Sequence, residues 1–542
     1  MKRHHQRICG RAYATLERRK PWCFPWAWRK REFGRWLLIG LALLLASGFP
    51  IHTPRFATAE QAEAHVVVIS IDGLMPDYYR NPDRYGLKIP TLRRLRNEGA
   101  FADAVIGVYP SVTYPSHTAI VTGARPRDHG IYFNRIFEEP TAPQTGRWYW
   151  WASAIRSDTL WAAARRAGRR TAAISWPVTV EAEIEHNIPE IFDPRAAQGG
   201  PPAWALVAQH ARSAGLVEEI LQAVGKPDAL EDDDLRVEAA GYLLTRFRPH
   251  LLLVHLIQLD GVQHRTGPHS KEAYAELEKQ DARIGRILEA IRRAGLEART
   301  SVAIVSDHGF MPVEREFHPG VVLAQAGLVK FDPSGRIVEW RAAVWSNGGS
   351  AAILLRDPSD EVARETVRRI FDDWARRPGS PLLRVIEAPE LERLGAAPTA
   401  AFFLEASDFC AFGGDYRGEA LRPARPNYRG THGYLPDRPQ MFASFILWGR
   451  GVRRGARAPV VNMTDIAPTL ARLLGVELRA PAYSRPITAF LEPSHVEPSD
   501  RARVSSVGVL MAQPASAQPR RISSAAMDRP FRRLGENGAK LP

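Results

Sequence analysis

Along residues 65–490, short apolar runs alternate with longer stretches in which apolar residues recur every three or four positions. The first run, Val66-Val67-Val68-Ile69-Ser70-Ile71, lacks a period of two, so it predicts a strand covered on both faces rather than one half in water. Residues 90–99 then read as a helix opened by Pro90 and closed by Gly99. The same reasoning predicts strands at 101–108, 170–176, 250–257, 301–306 and 443–448. It predicts helices at 115–122, 158–168, near 203–213, 232–246, 271–294 and 465–474. Within 271–294, Leu277, Ile284, Ile287, Leu288 and Ile291 lie on one stripe. Strand and helix in alternation predict an α/β fold with a mostly parallel central sheet and helices on both faces.

Between residues 310 and 427 the rhythm changes to short strands, one helix from Glu361 to Arg377 and several Pro/Gly turns. This segment reads as a small inserted α+β cap. Beyond Glu492, Ser, Ala, Pro and Arg dominate without apolar periodicity, which predicts a disordered tail. The expected division is therefore a leader at 1–59, a catalytic α/β domain from 60–309 with 428–492, a cap at 310–427 and a basic tail at 493–542.

Composition changes this picture at the ends. The formal charge of +14 suggests a polyanion partner until it is located: residues 1–35 carry +9 and residues 500–542 carry +5, leaving about zero for the body. Binding of a nucleic-acid polymer is not implied. The basic N-terminus precedes the apolar run Trp36-Leu37-Leu38-Ile39-Gly40-Leu41-Ala42-Leu43-Leu44-Leu45-Ala46 and the A-x-A-type site Ala57-Thr58-Ala59, the pattern of an export signal. Export to the periplasm or medium is expected, with an uncleaved N-terminal membrane anchor as the alternative. Cleavage would leave Cys410 as the single cysteine, so no disulfide is required.

Candidate chemistry lies where predicted strands end, the edge at which open α/β sheets bind ligands. Asp72 follows the first strand; Asp260 and His264 follow 250–257; Asp307 and His308 follow 301–306; His432 precedes the last strand. Each alone fits a turn or loop. Together, three carboxylates and three imidazoles at one sheet edge would repel or lie buried unless a cation held them. Six N/O ligands suit two Zn2+ ions, other divalent cations being alternatives, and such a pair can activate an attacking oxygen and neutralise a phosphate. Thr113, expected at the N-cap of the 115–122 helix, is the candidate oxygen. An ordinary capping threonine is the plain alternative.

The ordered motifs Ile71-Asp72-Gly73, Thr113-x-Pro115-x-His117, Val121-Thr122-Gly123, His129-Gly130, Asp260-x-x-x-His264, Asp307-His308-Gly309 and His432-Gly433 resemble the nucleotide pyrophosphatase/phosphodiesterase family of the alkaline phosphatase superfamily. The resemblance covers about residues 65–490. It implies an exported two-zinc hydrolase of phosphodiester or pyrophosphate bonds that works through a phospho-threonine on Thr113. It further implies one zinc on Asp260, His264 and His432 and another on Asp72, Asp307, His308 and the Thr113 oxygen. Asn134 would contact a phosphate oxygen, and Tyr114 would stack on a nucleotide base. The expected partner is a small phosphodiester or nucleotide. A phosphomonoesterase or phosphonate hydrolase on the same scaffold is the alternative. Two departures, Ser116 in place of a frequent Asn and Trp176-Pro177-Val178 in place of Trp-Pro-Gly, bear on specificity rather than on metal ligands. A sulfatase does not fit, since no Cys/Ser-x-Pro-x-Arg motif surrounds Cys410 or Ser111. A phosphoethanolamine transferase would carry several membrane helices, and a non-catalytic module would have lost ligands that are all present.

Overall fold

The computed structural model describes residues 63–192, 203–225 and 232–497. The leader and the tail beyond residue 497 lie outside them, and so do the expectations placed there. Eight strands form the central sheet: β1 (His65–Ile71), β2 (Ala100–Ala102), β3 (Thr171–Ile174), β4 (His186–Ile188), β5 (Leu251–Leu256), β6 (Thr300–Val305), β7 (Phe445–Gly449) and β8 (Ala456–Ala458). Their order is β8-β2-β7-β6-β1-β5-β3-β4. Strands β6, β1, β5, β3 and β4 are mutually parallel, while β7 runs antiparallel to both β6 and β2. The reversal of β7 matters for function. It brings the start of β7 to the edge where β1, β5 and β6 end, as the pairing Phe445↔Val305 shows, so the segment preceding β7 can reach the same edge.

Every residue of β1 is buried. Val67, Ile69 and Ile71 enter one apolar core, and Val66 and Val68 enter another on the opposite face, which is why the run shows no alternation. The helices include α1 (Pro90–Glu98), α2 (Thr113–Thr122), α3 (Leu160–Arg166), α4 (Asp233–Arg246), α5 (Gln258–Thr266), α6 (Lys271–Arg293) and α8 (Ile466–Leu474) around the central sheet and α7 (Glu361–Ala375) in the insert. Leu277, Ile284, Ile287, Leu288 and Ile291 of α6 all join the first core.

Two expectations are corrected. The strand at 101–108 is two pieces, β2 and Val105–Ile106. The break falls at Asp103, whose carboxylate takes Arg457 at 2.9 Å while Val105–Ile106 leaves the central sheet to pair with Val461–Asn462. Helix α2 begins at Thr113, with the extended Val112 as its cap residue, so Thr113 is the first helical residue and not the N-cap. Residues 258–266, to which the sequence pattern assigned no element, form the helix α5, which places Asp260 and His264 one turn apart on the same face. The helix Leu216–Val224 was not anticipated.

Residues 311–423 carry their own sheets. Ala342–Asn347, Ser350–Leu355, Phe402–Ala406 and Leu382–Ile386 form a four-stranded antiparallel sheet packed in an apolar cluster with Val367 and Phe371 of α7. Arg315–Phe317 pairs with Cys410–Phe412 and Leu421–Pro423. Met311–Pro312, where this segment leaves the sheet, pairs antiparallel with Gly430–Thr431, where it returns.

Candidate active site

That last pairing assembles much of the site. Met311 follows Asp307-His308-Gly309 and Thr431 precedes His432, so the ladder brings the two imidazoles into a stack with centroids 3.5 Å apart. Asp72 comes from the end of β1, and Asp260 and His264 from α5. All six candidate ligands meet at the carboxyl edge of the sheet.

All three imidazoles are oriented alike. His264 donates from Nδ1 to the Gly430 carbonyl at 2.8 Å, His432 to the Ser111 carbonyl at 3.1 Å and His308 to the Gly309 carbonyl at 3.1 Å. Fixing the Nδ1–H leaves each Nε2 as a lone-pair donor. These Nε2 atoms converge on carboxylates: His264 lies 3.5 Å and His432 3.7 Å from Asp260 Oδ1, and His308 lies 3.0 Å from Asp307 Oδ2 and 3.3 Å from Asp72 Oδ1. Asp72 Oδ1, Asp260 Oδ1, Asp307 Oδ2 and His308 Nε2 are buried without a hydrogen-bond partner. Two groupings with ligand atoms mutually within 4.8 Å follow, Asp260–His308–His432 and Asp72–Asp307–His308. Such a donor set fits divalent cations.

The electrostatics agree. Burial, then the Asp307 and Asp260 carboxylates, push Asp72 well above the usual carboxylate range. Burial would lower His308, but Asp307 and the other carboxylates hold it up to about 9. A cation among these groups would relieve the clash between carboxylates.

Thr113 sits at the first position of α2, a helix buried at all ten residues, and is itself 8% exposed. Ser116 donates its N–H to the Val112 carbonyl, and the Thr113 hydroxyl is not used as a cap. His117 fixes this turn: its Nδ1 donates to the Thr113 carbonyl at 2.9 Å, its Nε2 accepts from Ser70 Oγ at 2.8 Å, and Nδ1 is 3.7 Å from Asp307 Oδ2. Burial, joined by the nearby His255, lowers His117 to about 3, so it acts as a neutral spacer. Asn134 Oδ1 accepts the Tyr114 N–H at 2.8 Å, which seats Asn134 at the helix start. Tyr114 is fully buried, packed on Trp148 at 5.2 Å and clustered with Ile131 and Val178.

Two supporting groups escaped the sequence reading. Asp233 of α4, wholly buried, accepts the N–H groups of Ile257 and Gln258 at 2.9 Å and so caps the helix carrying Asp260 and His264. His255 of β5 lies beside Asp72. Its signal was visible: a histidine in the otherwise apolar run Leu251-Leu252-Leu253-Val254-His255-Leu256.

The family model for type I phosphodiesterase / nucleotide pyrophosphatase matches residues 66–391, more than half of the chain. The chain belongs to that family. Among curated proteins, an uncharacterized pyrophosphatase/phosphodiesterase of Schizosaccharomyces pombe is 27% identical over 262 residues, 46% of this chain and 45% of that protein. Mouse ectonucleotide pyrophosphatase/phosphodiesterase family member 1 is 24% identical over 268 residues, 48% of this chain and 25% of that protein. Venom phosphodiesterase 2 of Crotalus adamanteus is 25% identical over 46% of this chain and 27% of its own length. The match thus spans less than half of these relatives. Human ectonucleotide pyrophosphatase/phosphodiesterase 5 shares the fold, with a TM-score of 0.56 at 19% identity over 79% of this chain and all of that one. An inactive murine counterpart, solved in complex with AMP, gives a TM-score of 0.55 at 18% identity, again over 79% of this chain and all of that one. The nucleotide pyrophosphatase/phosphodiesterase fold is therefore the alkaline-phosphatase-like architecture expected, a large mostly parallel sheet between helices with additional small sheets.

Proposed function

We propose that this protein is an exported phosphoric ester hydrolase that cleaves phosphodiester or pyrophosphate bonds of small nucleotide-like substrates with two zinc ions and a threonine nucleophile. The observation that carries the reading is the common tethering of His264, His308 and His432 through Nδ1, which turns three Nε2 atoms toward three carboxylates. Asp260, His264 and His432 would hold one zinc, and Asp72, Asp307, His308 and the Thr113 oxygen the other. Bound there, the metals would supply Lewis acidity, favouring the Thr113 alkoxide and neutralising charge on the phosphoryl oxygens.

The chain's own groups then account for the rest. Thr113 Oγ attacks phosphorus, the P–O bond to the leaving group breaks, and a phospho-threonine forms; attack by water on phosphorus cleaves the Oγ–P bond, returns the hydroxyl and releases the phosphomonoester. The amide of Asn134, with Oδ1 engaged by Tyr114 N–H, presents its Nδ2 donors to a non-bridging oxygen. The N-terminus of α2 adds a smaller favourable field. Segment 310–427 serves as the cap over this edge. Support for export is the leader pattern. Among the described residues, no helix is long and apolar enough to cross a membrane. AMP bound by the murine relative supports a nucleotide-sized substrate.

Burial of Tyr114 favours one second reading. A ring with no exposed face offers no platform for a base, which keeps a phosphomonoesterase or phosphonate hydrolase in play. Turnover of an aryl nucleotide diester compared with an aryl phosphate monoester separates the two. For the chemistry itself, Thr113→Ala should lower kcat by at least about a thousandfold while metal analysis still finds two zinc ions per chain. Retained activity overturns the nucleophile, and wild-type activity indifferent to chelator overturns the metals.

A further inference from the structure

Strand β5 is fully buried, and His255 is its one polar side chain. In register it faces Ser70 of β1, two residues before Asp72. Its Nε2 donates to Asp72 Oδ2 at 3.1 Å, and its Nδ1 points at Glu190 Oε2 at 2.7 Å and the Ser175 carbonyl at 3.1 Å. The two oxygens of Asp72 are therefore not equivalent. Oδ2 is anchored, while Oδ1 has no hydrogen-bond partner and lies 3.3 Å from His308 Nε2, inside the Asp72–Asp307–His308 grouping.

We propose that His255, braced by Glu190, is a positioning residue that selects which oxygen of Asp72 faces the metal and so sets the affinity of that half of the site. A short carboxylate such as Asp72 can turn about its Cβ–Cγ bond, and a ligand that must be frozen on binding binds more weakly. Pinning Oδ2 removes that freedom before any metal arrives, in the way outer partners of metal ligands generally act. Glu190 completes the device. Together with the Ser175 carbonyl it holds the far nitrogen of the ring, whose centroid lies 4.2 Å from that of His117. Glu190 follows the edge strand β4, and its side chain is 13% exposed against 1% for His255, so the brace runs from near the surface to the metal edge across the sheet. A space-filling role predicts something different, since an apolar residue of similar volume would then serve equally well.

This inference rests on the two-metal reading proposed above, and its test separates the two. Full-length protein is stripped with a chelator and reloaded with zinc; elemental analysis gives stoichiometry, competition with a chromogenic chelator gives the affinity of each site, and circular dichroism reports folding. His255→Leu is expected to weaken one of two sites by about 10–100-fold and leave the other unchanged. His255→Gln, whose amide nitrogen can still donate to Asp72 Oδ2, should recover part of that loss. A folded His255→Leu that binds two zinc ions with wild-type affinity overturns the proposal. Should His255→Leu fail to fold, Glu190→Ala decides: an affinity about tenfold lower at one site is expected, and an unchanged one overturns it. A wild-type protein that takes up no zinc overturns the metal reading, and this inference with it.

Discussion

At Val178 the backbone has φ +58, in the left-handed region, and the side chain is fully buried against Tyr114 and Ile131. A β-branched residue there is strained by roughly 1–3 kcal/mol, and Ser175 (φ 51) and Glu181 (φ 60) lie in the same loop. At an ordinary buried site glycine is worse than alanine, because it loses packing and adds chain entropy. At this site the order should reverse. Val178→Ala loses the packing and keeps the unfavourable φ, whereas Val178→Gly loses the packing and releases it. Denaturant titration should find the glycine variant more stable than the alanine variant by about 1 kcal/mol; the opposite order would show that the loop holds this φ without strain. The residue was visible in the sequence as a departure from Trp-Pro-Gly, but its φ was not, because tertiary contacts set it. Asp72, Asp307 and His308 were legible for the opposite reason: each stands just after a strong apolar run. The Nδ1 tethers of His264 and His432 were hidden, since the carbonyls of Gly430 and Ser111 come from segments far away in sequence.

Among the elements, those with long apolar patterns were read within a few residues of their ends: β1, β5, β6 and α6. Of the short elements, Pro90–Glu98 and Ile466–Leu474 were read as well, but α5 and Leu216–Val224 were not. Helix α5 has only nine residues, two of them fully buried, and its N-terminus is held by a side chain from another helix. Asp233 accepts from Ile257 and Gln258, takes Arg236 at 2.7 Å and takes the Gln280 amide at 2.6 Å. Despite burial, Arg236 and these donors keep its carboxyl below the usual range. Removing it leaves the Ile257 and Gln258 N–H groups without their acceptor and takes one carboxylate away from the buried Arg236, which keeps Ser175 Oγ. Asp233→Ala should therefore cost roughly 3–5 kcal/mol of stability, read as a lower denaturant midpoint. It should also loosen Asp260 and His264 together, so that under the two-metal proposal an ion bound by that half exchanges faster with a competing chelator. A midpoint within experimental error of wild type would show that α5 needs no such cap.

For the whole molecule, the question is how the 311–423 segment is fastened to the sheet that carries the site. Glu405, in the four-stranded sheet of that segment, is fully buried. It accepts from the Leu435 N–H at 3.0 Å, three residues beyond His432, and from the Tyr109 hydroxyl at 3.3 Å, four residues before Thr113. One carboxyl thus ties the insert to both loops flanking the candidate metal ligands. Arg438 lies 3.4 Å away and favours ionisation, but burial prevails and lifts Glu405 to about 8. An unfolded chain releases this proton near the ordinary value of 4.5 and the folded chain only near 8, so between those values the native state holds more protons and stability falls as pH rises. Below that window the contribution is complete; above it, on the order of a few kcal/mol has been lost. Glu405→Gln mimics the protonated form and keeps an acceptor for Leu435. The variant should match wild type in Tm at pH 5 and exceed it at pH 9, and the difference between the two curves should open through the window. Parallel curves would mean that Glu405 is ionised throughout, with Arg438 rather than burial governing the junction.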